Sequence, residues 1–195
     1  MRLPEPVVLV GAQVRLEPLA VEHIPDLQVA GADPVLWRWL SVQPPLTLAD
    51  MTVVVQAALD DPARTPWAVV VAGRAVGSTS YLDVDATVGG LEIGWTWYCR
   101  ALWASTVNPG SKALLLAYAF EELGCRRVTL KTDALNIRSR GAISRLGASY
   151  DGTLRHHRLR ADGSVRDTAY YSILAAEWPV VRAGLEARLG GMAQA

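Results

Sequence analysis

From Pro109 to Leu123 the chain reads PGSKALLLAYAFEEL, a predicted helix that is apolar on nearly every face through Ala113, Leu114, Leu115, Leu116, Ala117, Ala119 and Phe120. A helix of this kind must be covered on more than one side. Gly124 follows it at the position where a left-handed residue commonly ends a helix. Strand-like segments flank it, "GGLEIGWTWYCR" before and "RRVTLKTD" after. A strand–helix–strand unit around a buried helix commits the chain to a mixed α/β architecture. Gly94, inside the first of these strands, marks a bulge or a close approach of backbone.

The other elements follow from local signals. "AQVRLEPL" alternates like a strand, and a short helical stretch runs from Val21 to about Ala30. Asp33 and Pro34 open a helical turn in "DPVLWRWL", and Thr47 caps a helix from Leu48 to Leu59. "WAVVVAG" and "RAVGSTSYLD" form a hairpin turning at Gly73. "NIRSRGAISRLG" is a second central helix ending at Gly147. "YDGTLRHHRLR" and "VRDTAYYSIL" are strands joined through Asp162-Gly163. A last helix spans about Glu177 to Leu189. The expected whole is one domain over residues 1–195, with about seven strands in a mixed sheet flanked by helices.

Composition narrows the function classes. Lysine plus arginine and aspartate plus glutamate each number 19, so the net charge is zero and no nucleic-acid partner is expected. No apolar run approaches the roughly 18 residues of a membrane span, and no membrane role is expected. The stretch "MRLPEPVVLVG" has too short an apolar core, and too many prolines, for a secretory signal, so a cytoplasmic setting is expected; there Cys99 and Cys125, without metal-ligand spacing, read as reduced thiols and no metal is expected. Lys112 and Lys131 are the only lysines, an arginine bias that fits a GC-rich bacterial genome.

The stretch "RALWASTVNPGSKALLLAYAF" runs from irregular chain straight into the buried helix. The first N–H groups of a helix lack internal partners and the dipole favours negative charge there, so such a junction can hold an anion. Asn108 and Pro109 read as an N-cap and first helical residue, and Lys112 lies on the first turn within reach of a phosphate. A cradle for another anion and a plain helix cap remain open.

From "LEIGWTWYCR" through "NIRSRGAISRLGA" the chain resembles the GNAT superfamily of acyl-CoA-dependent N-acyltransferases, in particular the RimJ/RimL-type branch that acetylates the N-termini of ribosomal proteins. The strongest matches are "EIGW", "LLLAYAFEELGCRRV" and "NIRSRGAISRLGA". The resemblance implies a central sheet splayed between the strands at Glu92–Cys99 and Arg127–Thr132, with the pantetheine arm of CoA in the splay. It places the pyrophosphate on the loop before the Pro109 helix, at Ser105, Thr106, Val107, Asn108, Gly110, Ser111 and Lys112. The family pattern there is Gln/Arg-x-x-Gly-x-Gly/Ala, and Trp103, Thr106 and Asn108 depart from all three defined positions.

For direct transfer, an amine must lose a proton, a tetrahedral oxyanion needs a donor, and the leaving thiolate benefits from a proton. Glu92 is the candidate base and an acceptor contact, or else a strand carboxylate held by its neighbours. The tyrosine acid common in the superfamily is replaced by Ile143, and Ser139 matches the serine of the RimL-type pattern as proton donor or coenzyme contact. Asn136 both opens its helix and matches a coenzyme-contacting position. The resemblance implies that backbone amides near Trp97 and Tyr98 serve the pantetheine or the oxyanion. Trp37 and Trp39 fall in the region that, by the resemblance, lines the acceptor groove. The implied donor is acetyl-CoA, with succinyl-CoA open. The implied acceptor is a primary amine on a peptide N-terminus or a small molecule, and a homodimer is left open. The alternative is a catalytically impaired GNAT-fold module that binds CoA or another anionic ligand.

Overall fold

The computed structural model describes residues 1–192. Its strands are β1 (Leu9–Val10), β2 (Arg15–Pro18), β3 (Thr65–Val71), β4 (Arg74–Asp85), β5 (Gly90–Tyr98), β6 (Arg127–Asp133), β7 (Ser149–Leu159) and β8 (Val165–Leu174). They form one eight-stranded sheet in the order β1-β2-β3-β4-β5-β6-β8-β7. The count exceeds the expected seven because Leu9–Val10 adds a two-residue edge strand to β2. The helices are α1 (Ile24–Ala30), α2 (Leu48–Leu59), α3 (Val107–Ala117), α4 (Ile137–Ser144) and α5 (Trp178–Met192).

Each sheet face has its own core. Leu16, Trp67, Val69, Tyr81, Leu91, Ile93, Val128, Leu130 and Ile173 pack with Leu115 and Leu116 of α3, Ile143 of α4, and Val181 and Leu185 of α5. On the other face Ala68, Val70, Ala75 and Trp97 pack with Leu27 of α1 and with Met51, Val55 and Ala58 of α2. Strand side chains alternate between faces. The residues between the first-core positions, Glu92 on β5 and Thr129 and Lys131 on β6, therefore point to the face that carries α1 and α2.

Local chemistry places the elements. Thr47 and Asp50 form a reciprocal capping box at the start of α2, with Asp50 N donating to Thr47 Oγ1 at 3.1 Å and Thr47 N to Asp50 Oδ2 at 3.0 Å. Ala72 and Gly73 turn the β3–β4 hairpin at φ of 50° and 77°. The buried helix begins earlier and ends differently from the sequence expectation. It starts at Val107, its α-helical part stops at Ala117, and a π-helical turn over Tyr118–Glu122 carries it on towards Gly124 at φ 70°. Asn108 thus lies inside the first turn and does not cap. Pro109 is tolerated there because the first turn's amides have no intrahelical partner to lose.

β4 and β5 pair closely on both sides of an irregularity. Ser78 faces Trp97 and Ser80 faces Gly94, with Trp95 held at φ 48° between them. Gly77 is the tight point: a Cβ there would stand 2.1 Å from the Trp97 carbonyl oxygen and 2.9 Å from Tyr98 Cα. Both are backbone, so no side chain can swing away. Gly77→Ala is expected to cost about 3 kcal/mol by forced displacement of β5, a Tm loss of roughly 6–12 °C in a thermal melt. An unchanged Tm would show that the two strands slide freely here.

Candidate functional site

Among the described residues β5 and β6 are the only parallel neighbours, and they pair only from Gly90↔Arg127 to Ile93↔Leu130. Beyond that register the Trp95 bulge turns β5 away, and its backbone from Trp95 to Tyr98 runs on without a β6 partner. A wedge opens between two central strands, and the sequence feature that marks its apex is Gly94. A Cβ at Gly94 would meet Leu82 Cδ1 at 2.6 Å and Glu92 Oε1 at 2.7 Å. Glycine here lets the Glu92 carboxylate lie against the strand just where pairing ends.

Glu92 is buried, and burial raises its pKa above the ordinary carboxylate range, partly offset by Lys131. Lys131 Nζ sits 2.6 Å from Glu92 Oε2 and 2.6 Å from Asp83 Oδ2, joining β6, β5 and β4 through one ammonium. The hydrogen bond to Lys131 holds Asp83 below its usual value. Burial pulls Lys131 down, but the two carboxylates outweigh it and hold it above an ordinary lysine. The Tyr170 ring centroid lies 5.0 Å from the same Nζ, and His157 Nε2 lies 3.4 Å from the Tyr170 hydroxyl. Sequence reasoning picks out Glu92 but misses Asp83 and Lys131. A signal is available in the parallel pairing: Lys131 is the next residue after Leu130 and faces the same way as Glu92.

The wedge opens towards two helix N-termini. At α3, Ala104 turns the chain at φ 62° and the Ser105 hydroxyl accepts from Val107 N at 3.2 Å. Thr106 adopts helical angles and spends its hydroxyl on Gln13 Oε1. Among the described residues the amides of Thr106 and Asn108 find no protein acceptor. At α4, Asn136 is the N-cap, its side-chain oxygen accepting from Ser139 N at 3.1 Å. That leaves the Asn136 amide nitrogen to donate elsewhere. Ser139 lies half-buried on the same turn.

A cavity of about 220 Å³ lies at this mouth, lined by Val35, Arg38, Trp39, Trp103, Asn136, Ile137 and Arg138. It brings together two residues singled out from the sequence, Trp39 and Asn136, and adds Trp103, whose ring stacks with the Arg138 guanidinium 3.1 Å from its centroid. The segment after Trp39 crosses to the β7–β8 hairpin: Arg166 donates to the Trp39 carbonyl at 3.1 Å and Gln43 to that of Ala161 at 2.8 Å.

Two expectations change. Trp37 lies in the core and not in a groove: 1% exposed, it donates from Nε1 to the Gly31 carbonyl at 2.8 Å and packs 4.9 Å from Trp97. Lys112 does not face the α3 anion position. It is 5% exposed, and its Nζ donates inward to Thr96 Oγ1 at 2.7 Å and Thr79 Oγ1 at 3.4 Å. Its spacing to Leu115, Leu116 and Ala119 puts it on the buried face of α3. At Trp97 and Tyr98 β5 pairs with β4 alone, leaving its other edge without a partner. The Tyr98 hydroxyl, buried beneath it, finds no partner among the described residues. Free amides at a helix start, a strand edge without a partner and an open mouth suit a long thioester with an anionic end.

Comparison with known proteins agrees with this geometry. The acetyltransferase (GNAT) domain model matches residues 13–149. A Bacillus subtilis protein named as a candidate ribosomal N-acetyltransferase, YdaF, is 31% identical over 106 residues. That match covers 54% of this chain and 57% of YdaF, so the chain spans little more than half of this curated relative. A crystal structure of a candidate acetyltransferase from T. thermophilus superposes with a TM-score of 0.90 at 38% identity, covering 96% of this chain and 99% of the other. Mycobacterium smegmatis RimJ, solved with CoA-disulfide, shares the fold at 17% identity and a TM-score of 0.83 over 96% of both chains. With its wedge between β5 and β6, and with the domain model matched over most of its length, this chain belongs to the GNAT acetyltransferase family.

Proposed function

We propose that this protein is an acyl-CoA-dependent N-acyltransferase that carries an acetyl group to a primary amine by direct attack. The observation that carries the reading is the end of β5–β6 pairing at Ile93↔Leu130, with the buried Glu92 carboxylate beside the apex. In this reading the free amides of Thr106 and Asn108 hold the pyrophosphate, with Ser105, Val107, Gly110 and Ser111 shaping the turn. Backbone at Trp97 and Tyr98 and the Asn136 side chain hold the pantetheine. Glu92 takes the proton of the acceptor ammonium, directly or through a water, because an ammonium has no lone pair for attack. Ser139, one helical turn from the Asn136 cap, hydrogen-bonds the departing thiolate. Trp39, at the mouth, lines the acceptor side.

The match to YdaF, named as a candidate ribosomal N-acetyltransferase, favours a peptide N-terminus as acceptor, with a small amine as the second choice. Acetyl-CoA is the first donor to test and succinyl-CoA the second. A soluble cytoplasmic enzyme fits both.

Isothermal titration with CoA and acetyl-CoA tests the site. Binding with a Kd on the order of micromolar is expected. Thr106 has φ −70°, which suits a proline ring. Thr106→Pro therefore deletes one amide with little backbone movement and should weaken binding about 10–100-fold, the worth of a hydrogen bond to a charged group. Thr106→Val, which loses only the hydroxyl bonded to Gln13, is expected to bind like the unaltered chain. No heat with any thioester would remove the transferase reading. Equal affinity in Thr106→Pro would move the anion site away from α3.

A further inference from the structure

The apex already contains an amine. Lys131 is the first β6 residue past the last β5–β6 pair, and its Nζ lies 2.6 Å from the carboxylate proposed to deprotonate the acceptor. That carboxylate lies against Gly94, the first β5 residue past the same pair. The ε-amine, the base and the opening of the wedge therefore meet at one point. Asp83 closes the far side of the ammonium, and Tyr170 lies beside it.

We propose that Lys131 is an internal acyl acceptor: when no amine substrate is present, its ε-amine takes the acyl group of a bound acyl thioester. The inference rests on the transferase reading above. One ammonium proton leaves through Glu92 to solvent. The freed lone pair then attacks the thioester carbonyl carbon and the C–S bond breaks. A second proton passes to the thiolate, which departs as the thiol, while the third stays on the amide nitrogen. No oxidant, reductant or metal enters.

The two carboxylates that orient Lys131 also stabilise its ammonium, which makes the step slow beside transfer to a substrate amine. Its consequence is local and large. Acylation removes the cation between Asp83 and Glu92 and leaves two carboxylates facing each other without a counter-charge. An enzyme supplied with donor but lacking acceptor would thus move the titration of its own base to higher pH and slow itself near neutrality.

Only Lys112, Lys131 and the α-amine can form stable amides with the donor, so the readout is simple. The purified chain is incubated with acetyl-CoA and no acceptor, then followed by intact mass and peptide mapping. The expected result is one added acetyl group, mapped to Lys131, with Lys112 unlabelled in its buried hydroxyl pocket. Lys131→Arg keeps a cation between the carboxylates and should show no adduct. Glu92→Gln keeps the lysine and should label about 10²-fold more slowly, as expected on removal of a general base. Labelling of Lys131 at the same rate in Glu92→Gln, or in the urea-unfolded chain, would show ordinary chemical acetylation and overturn the proposal. Thioester binding by calorimetry with no adduct would overturn it while sparing the transferase reading. Absence of thioester binding would remove both.

Discussion

Glu92→Gln is expected to lower kcat by about 10²–10⁴-fold while leaving thioester affinity unchanged, because general base catalysis is worth that range and the side chain lies beyond the pyrophosphate site. The substitution preserves volume and one hydrogen-bond acceptor for Lys131. Asp83 still holds the lysine at 2.6 Å, so the apex keeps its shape. In the unaltered chain kcat/KM should rise with pH as Glu92 loses its proton and level off above its pKa. That pKa is raised by burial, so the rising limb lies above the range of an exposed carboxylate. Lys131 pulls in the opposite direction. Lys131→Met removes that pull, and the limb should move to higher pH without a change in thioester Kd. If Glu92→Gln retains full kcat with a measured acceptor, Glu92 is a structural partner of Lys131 and the base lies elsewhere.

The same residues show what the sequence could and could not reveal. The Thr47 cap, the Gly73 and Asp162-Gly163 hairpins, the Asn136 cap and the Gly94 irregularity are each set by residues within a few positions of one another. A reader of the chain can find them for that reason. The start of α3 is harder to place because Asn108-Pro109 imitates a cap so well. The N-cap is Thr106, whose side chain makes no capping bond, and the Ser105 hydroxyl before it accepts from Val107 N; Ala104 turns the chain there at positive φ, a conformation with no mark in an alanine. Trp37 reads as a groove residue because "DPVLWRWL" falls in the region that lines the acceptor groove in the family the chain resembles. Its N–H instead meets a backbone carbonyl six residues away, a pairing that only the fold of α1 reveals. Asp83 and Lys131 escape a reading of the chain because their meaning is pairwise. No one of the three strands states that the two acids and the lysine converge: the parallel register relates Glu92 to Lys131, and Asp83 enters from β4 where its pairing with β5 is interrupted.

Lys112→Met is expected to stabilise the protein at pH 7 by up to about 4 kcal/mol, with the gain shrinking to about 2 kcal/mol at pH 9. Burial alone pushes Lys112 down from 10.5 to about 7, and no carboxylate offsets it. Its partners are two hydroxyls, which already hydrogen-bond each other at 2.8 Å and so keep a partner after the change. The sign follows from proton counting. Below about pH 7 both folded and unfolded chains hold the lysine proton, and the full penalty of burying it applies. Between about 7 and 10.5 the unfolded chain keeps a proton that the folded chain has released. The unfolded state therefore binds more protons, and stability rises with pH across that window. Methionine has a similar length, no charge and flexible packing, so it removes the penalty and the slope together. Denaturant titrations of both proteins at about pH 7, 8 and 9 measure this directly. A difference that stays constant with pH would mean the ammonium remains charged in the fold. A less stable variant at every pH would mean that the Thr79–Thr96–Lys112 bonds outweigh the burial penalty. Thioester affinity should not change in Lys112→Met, since the side chain points beneath the bulge of β5 and away from the first turn of α3. A loss of affinity would instead tie that buried amine to the coenzyme arm proposed for the wedge above it.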